Sequence, residues 1–129
     1  MKQISRFTLI TPLVLIVCSM FASAVVAHHS FVAQYDRSKT KTLVGPVTKL
    51  EWINPHARIF MDVKDENGQL ANWEVELAAP AILIRRGWTR SAIKIGEAVT
   101  VVGALAKDGS NLINATSVTL GDGTKVFSP

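Results

Sequence analysis

Arg58-Ile59-Phe60-Met61-Asp62-Val63-Lys64-Asp65-Glu66-Asn67-Gly68, Leu70-Ala71-Asn72-Trp73-Glu74-Val75-Glu76-Leu77 and Pro80-Ala81-Ile82-Leu83-Ile84-Arg85-Arg86-Gly87 decide the fold of this chain. In the first, Ile59, Met61 and Val63 fall on one face and Arg58, Phe60, Asp62 and Lys64 on the other, the period of a half-buried strand. Residues 65–68 supply a hairpin turn, with Gly68 free to take positive φ. The second stretch alternates again, with Trp73, Val75 and Leu77 inward and Asn72, Glu74 and Glu76 outward on a solvated face. In the third, Pro80 is suited to the first position of a helix and Gly87 to the residue just past its end. Arg85 and Arg86 then lie in the last turn, where positive charge complements the helix dipole.

Upstream, residues 41–53 are rich in strand formers, and Gly45-Pro46 marks a bend or bulge within them. Asn54-Pro55 is a turn dipeptide. Downstream, residues 89–96 form a connector with Ile93 and Ile95 pointing inward. Residues 97–105 and 111–120 are two further strands, the first interrupted at Gly103, and 124–127 adds a short last one. The order β-β-β-α-β-β is that of the OB-fold, a five-stranded, partly open barrel. A small sandwich shares the strand spacing, but a helix between the third and fourth strands favours the barrel. The fold class is therefore all-β with one helix. Trp52, Trp73 and Trp88 are expected in its core.

Composition divides the chain near residue 27. Lys2 and Arg6 precede an uncharged run and a small-residue ending, the layout of a secretory signal peptide over 1–27. Cleavage after Ala24 or after Ala27 both fit, and the second makes His28 the mature N-terminus. An uncleaved anchor over 7–27 is the alternative, and Leu15-Ile16-Val17-Cys18 is a weaker likeness to a lipoprotein signal. Residues 28–40 read as an N-terminal arm that docks through Phe31 and Tyr35, and 41–129 as the barrel. Cys18 leaves with the signal, so the core alone must hold the domain. Twelve Lys and Arg against ten Asp and Glu then remain, a net charge of +2. That weak charge, together with export, leads to the expectation of a periplasmic monomer whose partner is a protein or small molecule, with no nucleic acid and no membrane once the signal is gone.

Three histidines, His28, His29 and His56, carry the metal hypothesis. A free amine and imidazole at His28, joined by His56 and with His29 as a further candidate, would give a nitrogen-rich site suited to a copper ion. Spacing alone does not specify such a site, and the same residues serve as polar terminus and turn. Glu51 with His56 is the only acid–base pair offered, and no nucleophile or phosphate-loop motif accompanies it, so the chain reads as a non-enzymatic binding or accessory protein. Arg58 beside Phe60 is the one feature suggestive of oligonucleotide binding. Arg85, Arg86 and Arg90 read as dipole complement and solvated surface, with an acidic partner as the alternative. Asn114-Ala115-Thr116 matches a glycosylation acceptor but falls within a strand.

Ala27-His28-His29-Ser30-Phe31, Tyr35-Asp36, Gly45-Pro46-Val47-Thr48-Lys49-Leu50-Glu51-Trp52, Asn54-Pro55-His56-Ala57, Trp73-Glu74-Val75-Glu76-Leu77, Gly87-Trp88 and 96–103 together resemble a family of small exported bacterial proteins with a domain of unknown function. The resemblance spans the mature chain, with Pro46 as its departure. It implies export and one compact β-rich domain, and it carries no activity, cofactor or catalytic residue.

Overall fold

The computed structural model describes residues 31–127. The chain divides after Ala33, and the fold is that of the second unit, Gln34–Pro129. Its elements are β1 (Tyr35–Glu51), β2 (Arg58–Lys64), β3 (Leu70–Glu76), α1 (Pro80–Arg85), β4 (Ala98–Ala106), β5 (Leu112–Leu120) and β6 (Lys125–Phe127). The sheet order is β3-β2-β1-β4-β5-β6, and β3 also pairs with β5 in parallel, which closes the barrel. This is the expected OB-type barrel with one short strand added.

β1 makes the closure feasible because its two halves have different neighbours. Tyr35–Pro46 pairs with β4, and Val47–Glu51 pairs with β2, with a register shift between Val47 and Lys49. The strand therefore begins inside the stretch read as an arm. Asp36 accepts hydrogen bonds from the Ser38 amide and hydroxyl at 3.0 and 2.6 Å, a local turn that lets residues 37–39 bulge out of the ladder. The bend expected at Gly45-Pro46 falls slightly later. Pro46 sits at the end of the β1–β4 ladder, where its missing N–H costs least. Gly45 serves a different need, because any Cβ there would collide with the carbonyl oxygen of Asp62 in β2.

The alternation in β2 and β3 puts Ile59, Met61, Trp73, Val75 and Leu77 in the core. Leu43 and Val47 of β1, Val99 and Val101 of β4, and Ile113 and Val118 of β5 meet them there. α1 contributes Leu83, and the loop after it contributes Trp88 and Ile93. Pro80 opens α1. The Gly87 amide donates to the Ile84 carbonyl at 3.0 Å and the Trp88 amide to the Leu83 carbonyl at 2.9 Å, with Gly87 at φ 86°. This is a Schellman stop, and it drives Trp88 back against the barrel. Trp88 stacks on Trp52 with centroids 6.1 Å apart. Ile95 departs from expectation, since it is 63% exposed, with Ile93 alone of the pair facing inward. The backbone turns between Lys94 and Glu97, where the Lys94 amide donates to the Glu97 carboxylate, and that turn swings Ile95 outward.

Gly45→Ala should lower the unfolding free energy by about 1–3 kcal/mol, because the added methyl must push β1 away from β2. Urea denaturation measures it, and an unchanged midpoint would show that the two strands do not meet as closely as described.

Candidate functional site: a buried carboxylate on the barrel wall and a cleft at its mouth

β3 ends at Glu76, which lies opposite Arg58 of β2 on one side and Asn114 of β5 on the other. Alternation places it outward with Glu74, yet Glu76 is only 7% exposed. The solvated face read from the sequence is thus corrected at this position, because strands flank β3 on both sides here and Tyr35 is buried beside the carboxylate. A buried carboxylate needs donors. Asn114 Nδ2 donates to Oε1 at 3.1 Å and His56 Nδ1 lies 3.0 Å from the same oxygen. The Tyr35 phenol is buried beside the same carboxylate. Burial raises the Tyr35 pKa first, and the nearby Glu76 and Glu74 carboxylates raise it further, with Arg58 opposing.

His56 is exposed on one side and held on the other. Its side chain is 45% accessible, with Nδ1 committed to Glu76. In the neutral ring that arrangement puts the proton on Nδ1 and leaves the Nε2 lone pair as the available donor. His28 and His29 lie outside the described residues, and among the described residues no three His, Cys, Asp or Glu side chains gather to hold a metal. The Glu51–His56 pair is not formed. Glu51 instead takes Lys49 at 2.6 Å, and His56 takes Glu76. Arg58 pairs with Glu74 at 3.1 Å, and Lys49 also rests over the Phe60 ring at 5.0 Å. Asn114 spends its amide on Glu76 within β5, which removes the glycosylation reading.

Tyr35, Glu76 and Asn114 escaped the sequence reading as partners. Period-2 alternation treats Glu74 and Glu76 alike, and no local signal announces that β5 will pair beside one of them.

A separate open cleft of about 640 Å³ lies between the first half of β1, the β2–β3 turn and the start of β5. Lys41, Val44, Lys64, Glu66, Trp73 and Asn111 are among its lining residues. The Lys41 ammonium sits over the Trp73 ring, 4.9 Å from its centroid. Lys41 and Lys64 are matched by Asp65 and Glu66, so the lining carries no net charge.

The buried phenol gives a direct test. The chain has one tyrosine, so phenolate absorbance reports Tyr35 alone. The native protein should titrate well above the free-tyrosine value of 10.0, and the denatured protein near it. Since the fold favours the protonated phenol, its contribution to stability is fully present below about pH 10 and is lost as pH rises through the folded value. Tyr35→Phe should flatten that alkaline loss. A native titration near 10 would place Tyr35 in solvent.

The solved structures that resemble the barrel include Rim1 and PriB. The mitochondrial single-stranded DNA-binding protein Rim1 of S. cerevisiae matches with a TM-score of 0.50 at 10% identity, covering 64% of this chain and 93% of that one. The N-terminal domain of PriB from Thermoanaerobacter tencongensis matches with a TM-score of 0.46 at 16% identity, covering 64% and 96%. No curated protein matches the sequence. At such identities the likeness is one of fold. It nevertheless corrects the expectation of no nucleic-acid partner, which rested on weak charge and export, because the barrel shares its fold with a single-stranded DNA-binding protein. Residues 15–115 match a family of unknown function, DUF6152, and the chain belongs to that family.

Proposed function

We propose that the chain is an exported, non-enzymatic binding module of OB type, and that it receives a single-stranded nucleic acid in the cleft at the barrel mouth. The observation that carries this reading is the Lys41 ammonium over Trp73, 4.9 Å from the ring centroid, in the wall of an open cleft. Single-strand binders combine an aromatic surface for a base with a cation for the phosphate, and the yeast neighbour binds single-stranded DNA on a barrel of the same fold. Lys41 is exposed while most of Trp73 is buried in the core, and a cation–π contact of this kind is worth about 0.5–2 kcal/mol. In this reading Lys41 turns to a phosphate and a base stacks on the part of the ring left accessible. Residues of β2 and β3 and Asn111 at the end of the β4–β5 loop line the cleft, and OB barrels hold oligomers on the face of their second and third strands and on the loop between the fourth and fifth. Export is supported by the leader-like residues 1–27.

The test is tryptophan fluorescence of the exported protein against a homopolymeric single strand. Two lysine–phosphate contacts predict a log–log salt slope of about −1.4, reduced by about half in Lys41→Ala. No response at low salt would overturn the nucleic-acid reading. A response to a neutral oligosaccharide instead would keep the cleft and change its ligand.

The Nδ1–carboxylate contact of His56 favours a second reading, a copper site that uses His56 Nε2 together with His28 or His29. Glu76 would orient the ring, and removal of such an orienting partner costs about 10–100-fold in metal affinity. Copper titration should show that loss in Glu76→Gln and a larger one in His56→Ala. Equal affinity in wild type, His56→Ala, His28→Ala and His29→Ala would remove the site.

A further inference from the structure

The connection from β3 to β4 holds a single acidic residue, Glu97 at its very end, whose carboxylate accepts from the Lys94 amide; residues 77–96 before it hold none. That segment carries Arg85, Arg86, Arg90 and Lys94, all exposed. The rest of the chain from residue 28 onward carries eight Lys and Arg against ten Asp and Glu. One connection is therefore strongly basic on a domain that is otherwise slightly acidic. The helix dipole accounts for little of this. Only Arg85 lies in the last turn of α1, and Arg90 and Lys94 come after the Gly87 stop.

The same segment exposes apolar side chains without a folding reason for them. Leu83, Trp88 and Ile93 supply its contribution to the core. Ile82, Ile84 and Ile95 are 40%, 59% and 63% exposed. Scattered exposed aliphatics are ordinary, but three isoleucines among four basic residues in one twenty-residue connection are a concentration. The backbone beneath them is anchored by the three buried side chains and by the Schellman stop, so they are presented in a fixed geometry.

From this charge complementarity and this apolar display we infer that residues 77–96 dock the domain on an anionic lipid surface. Isoleucines enter the boundary between headgroups and acyl chains while guanidinium groups pair with lipid phosphates, as at other interfacial segments. None of these residues lines the cleft. The contact is reversible, each basic residue adding about a fivefold factor in affinity. It departs from the expectation of no membrane contact after the leader is removed, and it is independent of the ligand in the cleft.

The test is sedimentation of the exported protein with phosphatidylglycerol-containing vesicles and with pure phosphatidylcholine vesicles. Binding should favour the anionic vesicles and weaken with salt. Arg85→Gln with Arg90→Gln should cut it about 25-fold. Ile84→Asp and Ile95→Asp should abolish it in proteins whose thermal unfolding confirms a native barrel; both positions are exposed, so the fold tolerates them. Equal binding to the two vesicle types, or binding unchanged in the double arginine variant and in both isoleucine variants, would overturn the inference. So would loss of single-strand binding in the arginine variants with no vesicle binding in wild type, which would make this segment part of a nucleic-acid footprint.

Discussion

The parallel pairing of β3 with β5 is the constraint on which the rest of the structure depends. It joins Glu74–Glu76 to Leu112–Asn114 across the barrel seam. Without it the six strands would form an open sheet, and the core residues of β3 and β5 would not enclose the same interior. The pairing also traps a carboxylate. Glu76 ends up between two strands and beside Tyr35, largely shielded from water. Leaving such a group unsatisfied is expensive. Asn114 and His56 answer it from β5 and from the β1–β2 connection, and Tyr35 at the start of β1 is buried beside it. A single buried charge thus ties together three parts of the chain that are far apart in sequence.

The surface of the domain is correspondingly divided. Its polar wall is a lattice of paired groups, with Lys49 on Glu51, Arg58 on Glu74 and the His56 ring on Glu76. Charges committed in this way are poorly placed to grip a polyanion. The cleft differs in that one of its two lysines, Lys41, rests on an aromatic ring and not on a carboxylate. The β3–β4 connection differs again, because it carries Arg85, Arg86, Arg90 and Lys94 against Glu97 alone. A net charge near neutral for the whole domain conceals this segregation. The same concealment explains why an argument from total charge excluded nucleic acid too readily.

Much of the fold was legible because strands and helices announce themselves locally. Ile59-x-Met61 and Trp73-x-Val75-x-Leu77 face the core as their alternation requires. Pro80 and Gly87 bound α1 closely, since each residue is suited to its position by its own backbone geometry. The departures have non-local causes. Tyr35 enters β1 because β4 is there to pair with it. Gly45 is required by the approach of β2, rather than by a bend in its own strand. Ile95 faces outward because the chain must turn toward Glu97 before β4 can begin. Of the three candidate metal ligands, His56 alone falls among the described residues, and its partner is Glu76, not the Glu51 suggested by proximity in sequence.

By itself the sequence determined the elements, their order and hence the barrel, because periodicity and turn chemistry act over a few residues. It also determined the lopsided charge of residues 77–96, which needs only counting. Tertiary structure alone decided which polar residues act together. The Asn114–Glu76 hydrogen bond spans 38 residues, and Lys41 of β1 meets Trp73 of β3. Such pairings follow from how the sheet closes on itself, and closure is a property of all the strands at once.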